Sequence, residues 1–389
     1  MKNTFFTLYC VLFISSVGSS QILKVSKLIV DMETNLPLEN VSISNDIDNS
    51  STNHEGFFIF NSSKNEINFK LLGYNSIKST FDGVAKKDTI FMESKAFVLD
   101  EVLVSNVEPF MKKVYDKMSE NFIKEYTANF FLRSVLKSED SITILQDIQG
   151  KRGKNDSSKN PYDIEVLNMR KTSMFEKKNT IDFTLPDFNQ FFSPPIPVRD
   201  KTNFKEVIYN DADFRKIVFE GKEKSAWGQT VKGYFIINKI DYAIVEHFIS
   251  VYDHPDLIPY VKFTLSSMRY KTTSYERFAI YGKDEILNKY YLKSSKLNTQ
   301  LEVLRNKKET KPVYVDFAMD YFIINAITHD KVESNFPVDK DIFKAKFSYS
   351  ANFWDNQNQL PLTTDLRAFL NKVSLNKDKR KEFEIIGNF

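Results

Sequence analysis

Few side chains in this chain are placed to do chemistry. Its four histidines are His54, His247, His254 and His329, and none has an acidic residue three positions on, as an H-x-x-E metal site requires. His254 stands in VYDHPDL between Asp253 and Asp256, with His247 upstream, a donor set suited to a divalent ion. Pro255 and Pro259 mark that stretch as a loop between strands, where polar groups are simply solvated, so no metal is expected. Asp211 and Asp213 raise a second chemistry, because two carboxyls flanking a sugar bond suffice for glycoside hydrolysis. Asn210, Asp211 and Asp213 fit better as a turn that starts the next element. There is no G-x-S-x-G elbow, and the 11 glycines are dispersed singly, with no phosphate loop among them. No catalytic residue, cofactor ligand or metal ligand is assigned, and no cofactor is expected.

Composition narrows the field further. Lys2, an apolar run over residues 5–14 broken by Thr7, and the small residues Ser15, Ser16, Gly18, Ser19 and Ser20 form the three parts of a secretory signal, with cleavage expected before Gln21. The run is shorter than the roughly 20 residues that span a bilayer. Cys10 is the sole cysteine and lies within that run behind the bulky Tyr9, where a lipid-modified cysteine would want a small neighbour. The mature chain is therefore expected to lack disulfides, thiolate nucleophiles and cysteine-bound metals. Loss of Lys2 leaves 53 basic against 51 acidic side chains, a net charge of +2. That balance, with no dense basic run, argues against nucleic acid. Aromatics reach 14%, with 35 Phe and 18 Tyr, interleaved with Lys, Thr, Ser and Asn as half-buried strands require.

Residues 21–104 read as short strands separated by turns. Leu28, Ile29 and Val30 make one, and Asn35 and Pro37 suit the turn after it. Val41 and Ile43 alternate with Ser42 and Ser44. Gly56 follows a turn-rich stretch and precedes Phe57, Phe58, Ile59 and Phe60; Ile67, Phe69 and Leu71 alternate next; Thr89 to Met92 leads toward Val102, Leu103 and Val104. This spacing predicts a β-sandwich.

The same residues carry a resemblance. Val30 and Asp31, LPLENVSI from Leu36, STNHEGFF from Ser51, LLGY from Leu71 and LDEVLV from Leu99 occur in the order that resembles the carboxypeptidase-regulatory-like domain. His54 departs from it, standing where that family more often has an acidic or polar turn residue. The resemblance implies a transthyretin-like sandwich of the kind that opens many exported proteins in bacteria with TonB-dependent outer-membrane transporters. It implies a noncatalytic appendage and no peptidase activity.

Beyond Val104, Val107, Phe110, Met111, Val114, Tyr115, Met118, Phe122 and Tyr126 recur at helical spacing, with Lys112, Lys113, Asp116, Lys117 and Glu120 on the other face. An amphipathic helix over 107–126 is expected, packed on its own sheet, with Glu108 and Pro109 in its first turn. ANFFLRSVLK from Ala128 then reads as a strand. This order resembles other exported proteins with the same first domain, in which a helix bearing an N-Y or N-F pair precedes an aromatic-Arg strand; here Asn121 with Phe122, and Phe131 to Arg133, correspond. The stretch KRGKNDSSKN after Gly150 is polar throughout and reads as a surface loop. In FFSPPIP, Pro194, Pro195 and Pro197 prevent regular structure while Phe188, Phe191 and Phe192 favour burial, as in a rigid crossing that caps a core.

Strands are expected over 216–219, 227–237, 242–252, 261–269, 278–281 and 290–297, with a hairpin turning at 238–241. Leu366, Phe369, Leu370 and Val373 predict a closing helix capped by Thr363 or Thr364, with Asp365 in its first turn. Together these give a mostly β fold with α: an N-terminal transthyretin-like β-sandwich, then an α+β domain over 105–389 with a large curved antiparallel sheet and its helices in the concavity or on one face. Such a sheet is similar in outline to periplasmic lipoprotein carriers, which hold acyl chains in an aromatic-lined hollow. The terminal EFEIIGNF has the aromatic ending of outer-membrane barrels, but charged strands suit a lipid-facing barrel poorly. The expected function is a noncatalytic, periplasmic binding or accessory protein, associated with the outer membrane and holding a lipid, a glycan or an envelope protein. The alternative is a carboxylate-dependent hydrolase of glycans.

Overall fold

The computed structural model describes residues 22–95, 106–176, 186–192, 196–209, 211–224, 229–252, 254–262, 267–306, 308, 310–376 and 381–389. The expected signal at 1–20, the strand at 102–104, and Pro194, Pro195, Asn210, Trp227 and Asp253 lie outside the described residues.

The first part consists of β1 (Leu23–Asp31), β2 (Ser42–Ser44), β3 (Asn49–Ser51), β4 (Phe57–Ser62), β5 (Glu66–Lys70), β6 (Ile77–Thr80), the short helix α1 (Phe81–Ala85) and β7 (Thr89–Met92). They form two sheets, ordered β4-β1-β7 and β3-β2-β5-β6. Alternation directs Ile29, Ile43, Phe58, Phe60, Ile67 and Phe69 into one fully buried core shared by both sheets. Two turns show why the intervening residues have the types they have. The carboxylate of Asp31 accepts from the backbone N–H groups of Glu33 at 2.9 Å and Thr34 at 2.7 Å, and Asn35 takes a positive φ of 57°. Gly56 has φ 77°, and a Cβ there would fall 2.6 Å from the Ile29 carbonyl oxygen, so both conformation and space require glycine.

The helix expected over 107–126 is shorter. It runs as α2 (Glu108–Asn121), and Phe122 already has extended angles. Ile123 then donates its N–H to the Tyr290 carbonyl at 2.9 Å, and Tyr126 belongs to β8 (Glu125–Ser138). The apolar spacing continues past the helix because Ile123 and Tyr126 bury in the sheet core while Met111 and Val114 bury beneath the helix. Periodicity records burial, and here burial crosses the end of the element.

The large sheet follows. Its strands are β8, β9 (Ser141–Asn155), β10 (Tyr162–Glu176), β11 (Thr202–Val207), β12 (Phe214–Gly221), β13 (Thr230–Asn238), β14 (Ile244–Tyr252), β15 (Val261–Lys262), β16 (Arg269–Asp284), β17 (Lys289–Leu304), β18 (Val313–Ile323) and β19 (Lys381–Ile386). The order is β11-β12-β13-β14-β16-β17-β18-β8-β9-β10-β19, with β15 beside β16, and all pairings are antiparallel. The terminal strand thus closes onto β10 as an ordinary edge strand.

The surface loop expected after Gly150 is overturned in its first half: residues 150–155 complete β9, and only the stretch after Asn155 turns. Gly150 is required because a Cβ would fall 2.3 Å from the Glu165 carbonyl oxygen, and Arg152 is fully buried among aromatic rings. A glycine and an arginine at inward positions erase the hydrophobic alternation from the sequence. Strand β18 was not expected either, although Val313, Val315, Phe317, Met319, Tyr321 and Ile323 all alternate into the core.

Helices cover both faces of the sheet, in place of the concavity or a single face. We call the face beneath α2 and the short helix α3 (Asn189–Phe192) the inner face. The helices α4 (Ala351–Asp355) and α5 (Thr364–Leu375) pack on the other, outer face, Trp354 against Phe131 and Phe369 in a cluster with Val135 and Leu145. Thr363 precedes α5 as its cap residue, but its hydroxyl bonds to Asp365; the Thr364 N–H donates at 2.9 Å to Glu55 of the sandwich. Further contacts join the two parts: Asn61 and Asn358 exchange backbone and amide hydrogen bonds at 2.7 and 3.1 Å, and the Asn49 N–H donates to the Ile324 carbonyl at 2.8 Å.

A buried charge network ties the central strands to the C-terminal segment. Asp147 accepts two bonds from Arg133, both 2.8 Å, and two from Arg170, at 3.0 and 2.7 Å, while Arg133 also donates to the Pro361 carbonyl at 2.9 Å. Burial works against the Asp147 carboxylate, but the two guanidinium groups outweigh it and hold its pKa below the ordinary 3.8. Removing the anion strands two buried cations, so Asp147→Asn is expected to cost about 3–5 kcal/mol in urea unfolding at neutral pH. Because the folded pKa is depressed, this contribution is complete above the ordinary value and lost as pH falls through the lower folded one. The stability gap between wild type and Asp147→Asn therefore closes below about pH 4; a gap unchanged into strong acid would contradict the assignment.

Candidate functional site

Where α2 ends, the inner face holds a hollow of about 180 Å³. Met118 and Phe122 line it from the helix side, Tyr126 and Tyr162 from β8 and β10, and Tyr281, Tyr290, Tyr291 and Leu292 from the hairpin of β16 and β17. Register explains the convergence. Tyr126 lies directly opposite Lys154, and Lys154 directly opposite Tyr162, so three adjacent strands present one row of side chains at the same level. The expected hairpin turn supports the mouth: Asp241 accepts from Tyr290 Oη at 3.0 Å and Lys283 Nζ at 3.1 Å, and its carbonyl accepts from Asn121 at 2.9 Å.

The floor of the hollow contains Arg152. Its guanidinium donates to the Tyr126 hydroxyl and lies 4.7 Å from the ring centroid of Phe192, 5.1 Å from that of Tyr126 and 5.5 Å from that of Tyr321. Its Nε, fully buried, has no hydrogen-bond partner among the described residues. A second guanidinium, Arg277, is also buried; it donates to the Phe191 carbonyl, and its Nε likewise has no partner. Burial pushes the Arg277 pKa down. Between them stands α3, whose Phe192 carbonyl accepts from Tyr162 Oη at 3.0 Å. Phe188, Phe191 and Phe192 are buried, with Phe188 stacked on Phe192 at 5.6 Å, so this aromatic stretch caps the core as expected.

His247 faces the same side on β14, opposite Ala279 and 5.0 Å from the Phe235 ring. Both ring nitrogens are buried without a partner among the described residues. Burial, aided by the charge of Arg277, lowers its pKa from 6.5 to about 3. His254 is exposed in its loop, 3.4 Å from Asp256, so the fold separates the two histidines. No group of three metal-ligating side chains gathers among the described residues. Asp211 is buried and ion-paired with Lys95; it accepts the Asp213 N–H at 3.1 Å in the expected turn, while Asp213 is exposed, so the two carboxyls do not face each other across a cleft.

A second cavity of about 330 Å³ lies between the sandwich and the outer face, lined by amides that include Asn61, Asn129, Gln149, Asn325 and Asn358. Asp48 is the one carboxylate among its described lining residues, and its Oδ1 accepts from Asn325 at 2.8 Å. The two-carboxyl arrangement required for glycoside hydrolysis is not assembled there.

Arg152 and Arg277 are the buried cations near the hollow that the sequence conceals. Arg152 sits in a stretch that reads as loop. Arg277 leaves one signal, a charge at the inward position between Tyr275 and Ala279.

No family model and no curated protein matches the chain. The solved structures that show some likeness include these two. One is a LolA superfamily protein from Nitrosomonas europaea, 9% identical, covering 59% of this chain and 96% of its own, with a TM-score of 0.22. The other is a protein of unknown function from Bacteroides fragilis, 9% identical, covering 78% and 98%, with a TM-score of 0.13. Neither score reaches 0.5.

Because the folded pKa of His247 lies below 6.5, the unfolded chain takes up a proton first as pH falls. Its contribution to stability is complete above that value and declines toward pH 3. Histidine NMR is expected to show the His247 ring neutral throughout the range from about pH 8 down to about pH 5. A ring that protonates near pH 6 would show that water reaches it.

Proposed function

We propose that this chain is a noncatalytic binding protein of the cell envelope that holds the apolar part of a lipid-like amphiphile in the hollow of its inner face. The observation that carries the reading is the hollow itself: an apolar, aromatic-lined cavity in which tyrosines and Leu292 meet the end of an amphipathic helix. At about 180 Å³ it exceeds the ~150 Å³ apolar cavity that takes up benzene, so it admits a ring or part of one acyl chain. Burial of an apolar chain segment there is favourable by about 0.8 kcal/mol per methylene, without any covalent step.

The proposal includes export to the periplasm, drawn from the signal pattern at 1–20, and work at the inner side of the outer membrane. Among the described residues no helix is long and apolar enough to cross a membrane. It also includes the carboxypeptidase-regulatory-like identity of residues 21–104, supported by two small sheets closing on one core and by the turn at Gly56. In this reading the sandwich is an accessory element, joined to the outer face, and its Leu72 packs in the cluster that includes the lining residues Phe122, Tyr281 and Tyr290.

Native mass spectrometry of the protein isolated from its own envelope fraction, with decanol added to the emptied protein, tests this reading. A bound amphiphile or uptake of decanol is the expected result, and Met118→Trp, which fills the mouth, is expected to weaken uptake roughly tenfold with little change in melting temperature. A protein that carries no amphiphile and takes up no decanol is not a carrier of this kind.

A further inference from the structure

We propose that the hollow selects an acidic amphiphile, a single-chain carboxylate whose head is received by Arg152. This rests on the reading of the hollow as a site for apolar ligands and adds the chemistry of the head group.

Three other buried cations of this protein meet carboxylates. On the outer face Arg133 and Arg170 share Asp147, and Lys171 pairs with Glu384. In these three the buried charge is neutralised from within the chain, which offsets the cost of desolvating a cation. Arg152 is buried as deeply, yet among the described residues its polar partner is a neutral hydroxyl, and its Nε is unpaired. Rings of Tyr126, Phe192 and Tyr321 supply cation–π attraction, which is weaker than a carboxylate at hydrogen-bond distance.

The lining points the same way. Among the described lining residues the charged ones, Arg152 and Lys154, are both basic, and none is a carboxylate. Lys154 stands nearer the solvent, with its Nζ 2.8 Å from both the Ile123 carbonyl and Asp156. Arg277, the second buried guanidinium, donates to the Phe191 carbonyl, next along α3 from the Phe192 ring that lies over Arg152. An anion entering past Lys154 meets a planar fork of donors in a water-poor setting, where each charge-assisted bond is stronger than at the surface. The narrow volume favours a flat carboxylate over the bulkier phosphate, and a single chain over several.

Isothermal titration of the full chain with decanoate, decanol and decyl phosphate at about pH 8, where the carboxylate is ionised, tests the assignment. Decanoate is expected to bind roughly tenfold or more tightly than decanol, and more tightly than decyl phosphate. Arg152→Gln is expected to remove that advantage, so that decanoate and decanol bind alike, and Arg152→Lys to restore part of it. Equal affinity of the wild type for decanoate and decanol overturns the role of Arg152 and leaves the hollow as an apolar site. Preferential binding of decyl phosphate overturns the carboxylate. Failure of all three to bind removes the hollow reading and this inference together. Should Arg152→Gln fail to fold, judged by circular dichroism, the wild-type comparison of the three chains still decides.

Discussion

Asp147 carries its charge where water does not reach, and the placement of its two partners fixes much of what surrounds it. Arg133 on β8 and Arg170 on β10 are its direct cross-strand neighbours, one on each side. A slip of either strand by one residue would carry a guanidinium to the opposite face and leave uncompensated charge behind. The network therefore sets register across the centre of the sheet. It also fixes what lies over that face: Arg133 holds the Pro361 carbonyl, and the Arg170 guanidinium lies 4.4 Å from the Trp354 ring centroid and 4.6 Å from that of Phe389.

The hollow depends on the same register. Tyr126 is seven residues from Arg133, and Arg152 is five from Asp147, so alternation turns both to the inner face. Tyr162 is eight residues from Arg170 and would share its face, except that the pairing of β9 and β10 shifts between Val166 and Asn168. That bulge, with Leu167 directed partly to solvent, turns Tyr162 inward. One irregularity in one strand thus separates the charge network outside from the aromatic lining inside.

The two faces handle positive charge differently. Outside, carboxylates meet guanidinium and ammonium groups; inside, two arginines and a neutral histidine stand among tyrosines and phenylalanines. Aromatic rings and hydroxyls lessen the cost of burying a guanidinium without abolishing its field. A cavity built this way is lined by aromatic and apolar side chains and also holds the buried guanidinium of Arg152. The amide-lined cleft between the sandwich and the sheet is of another kind. Several of its polar groups join the two parts, as where the side-chain amide of Asn358 accepts from the Asn61 backbone N–H and donates to the Asn61 carbonyl.

Where local alternation and turn chemistry were strong, the sequence by itself determined the outcome. The sandwich strands around Phe58 and Phe69, the turn at Gly56, the hairpin at Asn238, the closing helix and the curved antiparallel sheet all follow from side-chain period and backbone preference. Local signals failed where one pattern served two elements, as when the apolar spacing of α2 ran on into β8, and where an inward position held glycine or arginine, as at Gly150 and Arg152. The site belongs to this second group. Tyr126, Arg152, Tyr162 and Tyr281 come from strands separated by long stretches of chain, and only pairing register and a bulge bring them together. A sequence records which residues prefer burial. Which of them share one cavity is a property of long-range register, set here by charges on the opposite face of the sheet.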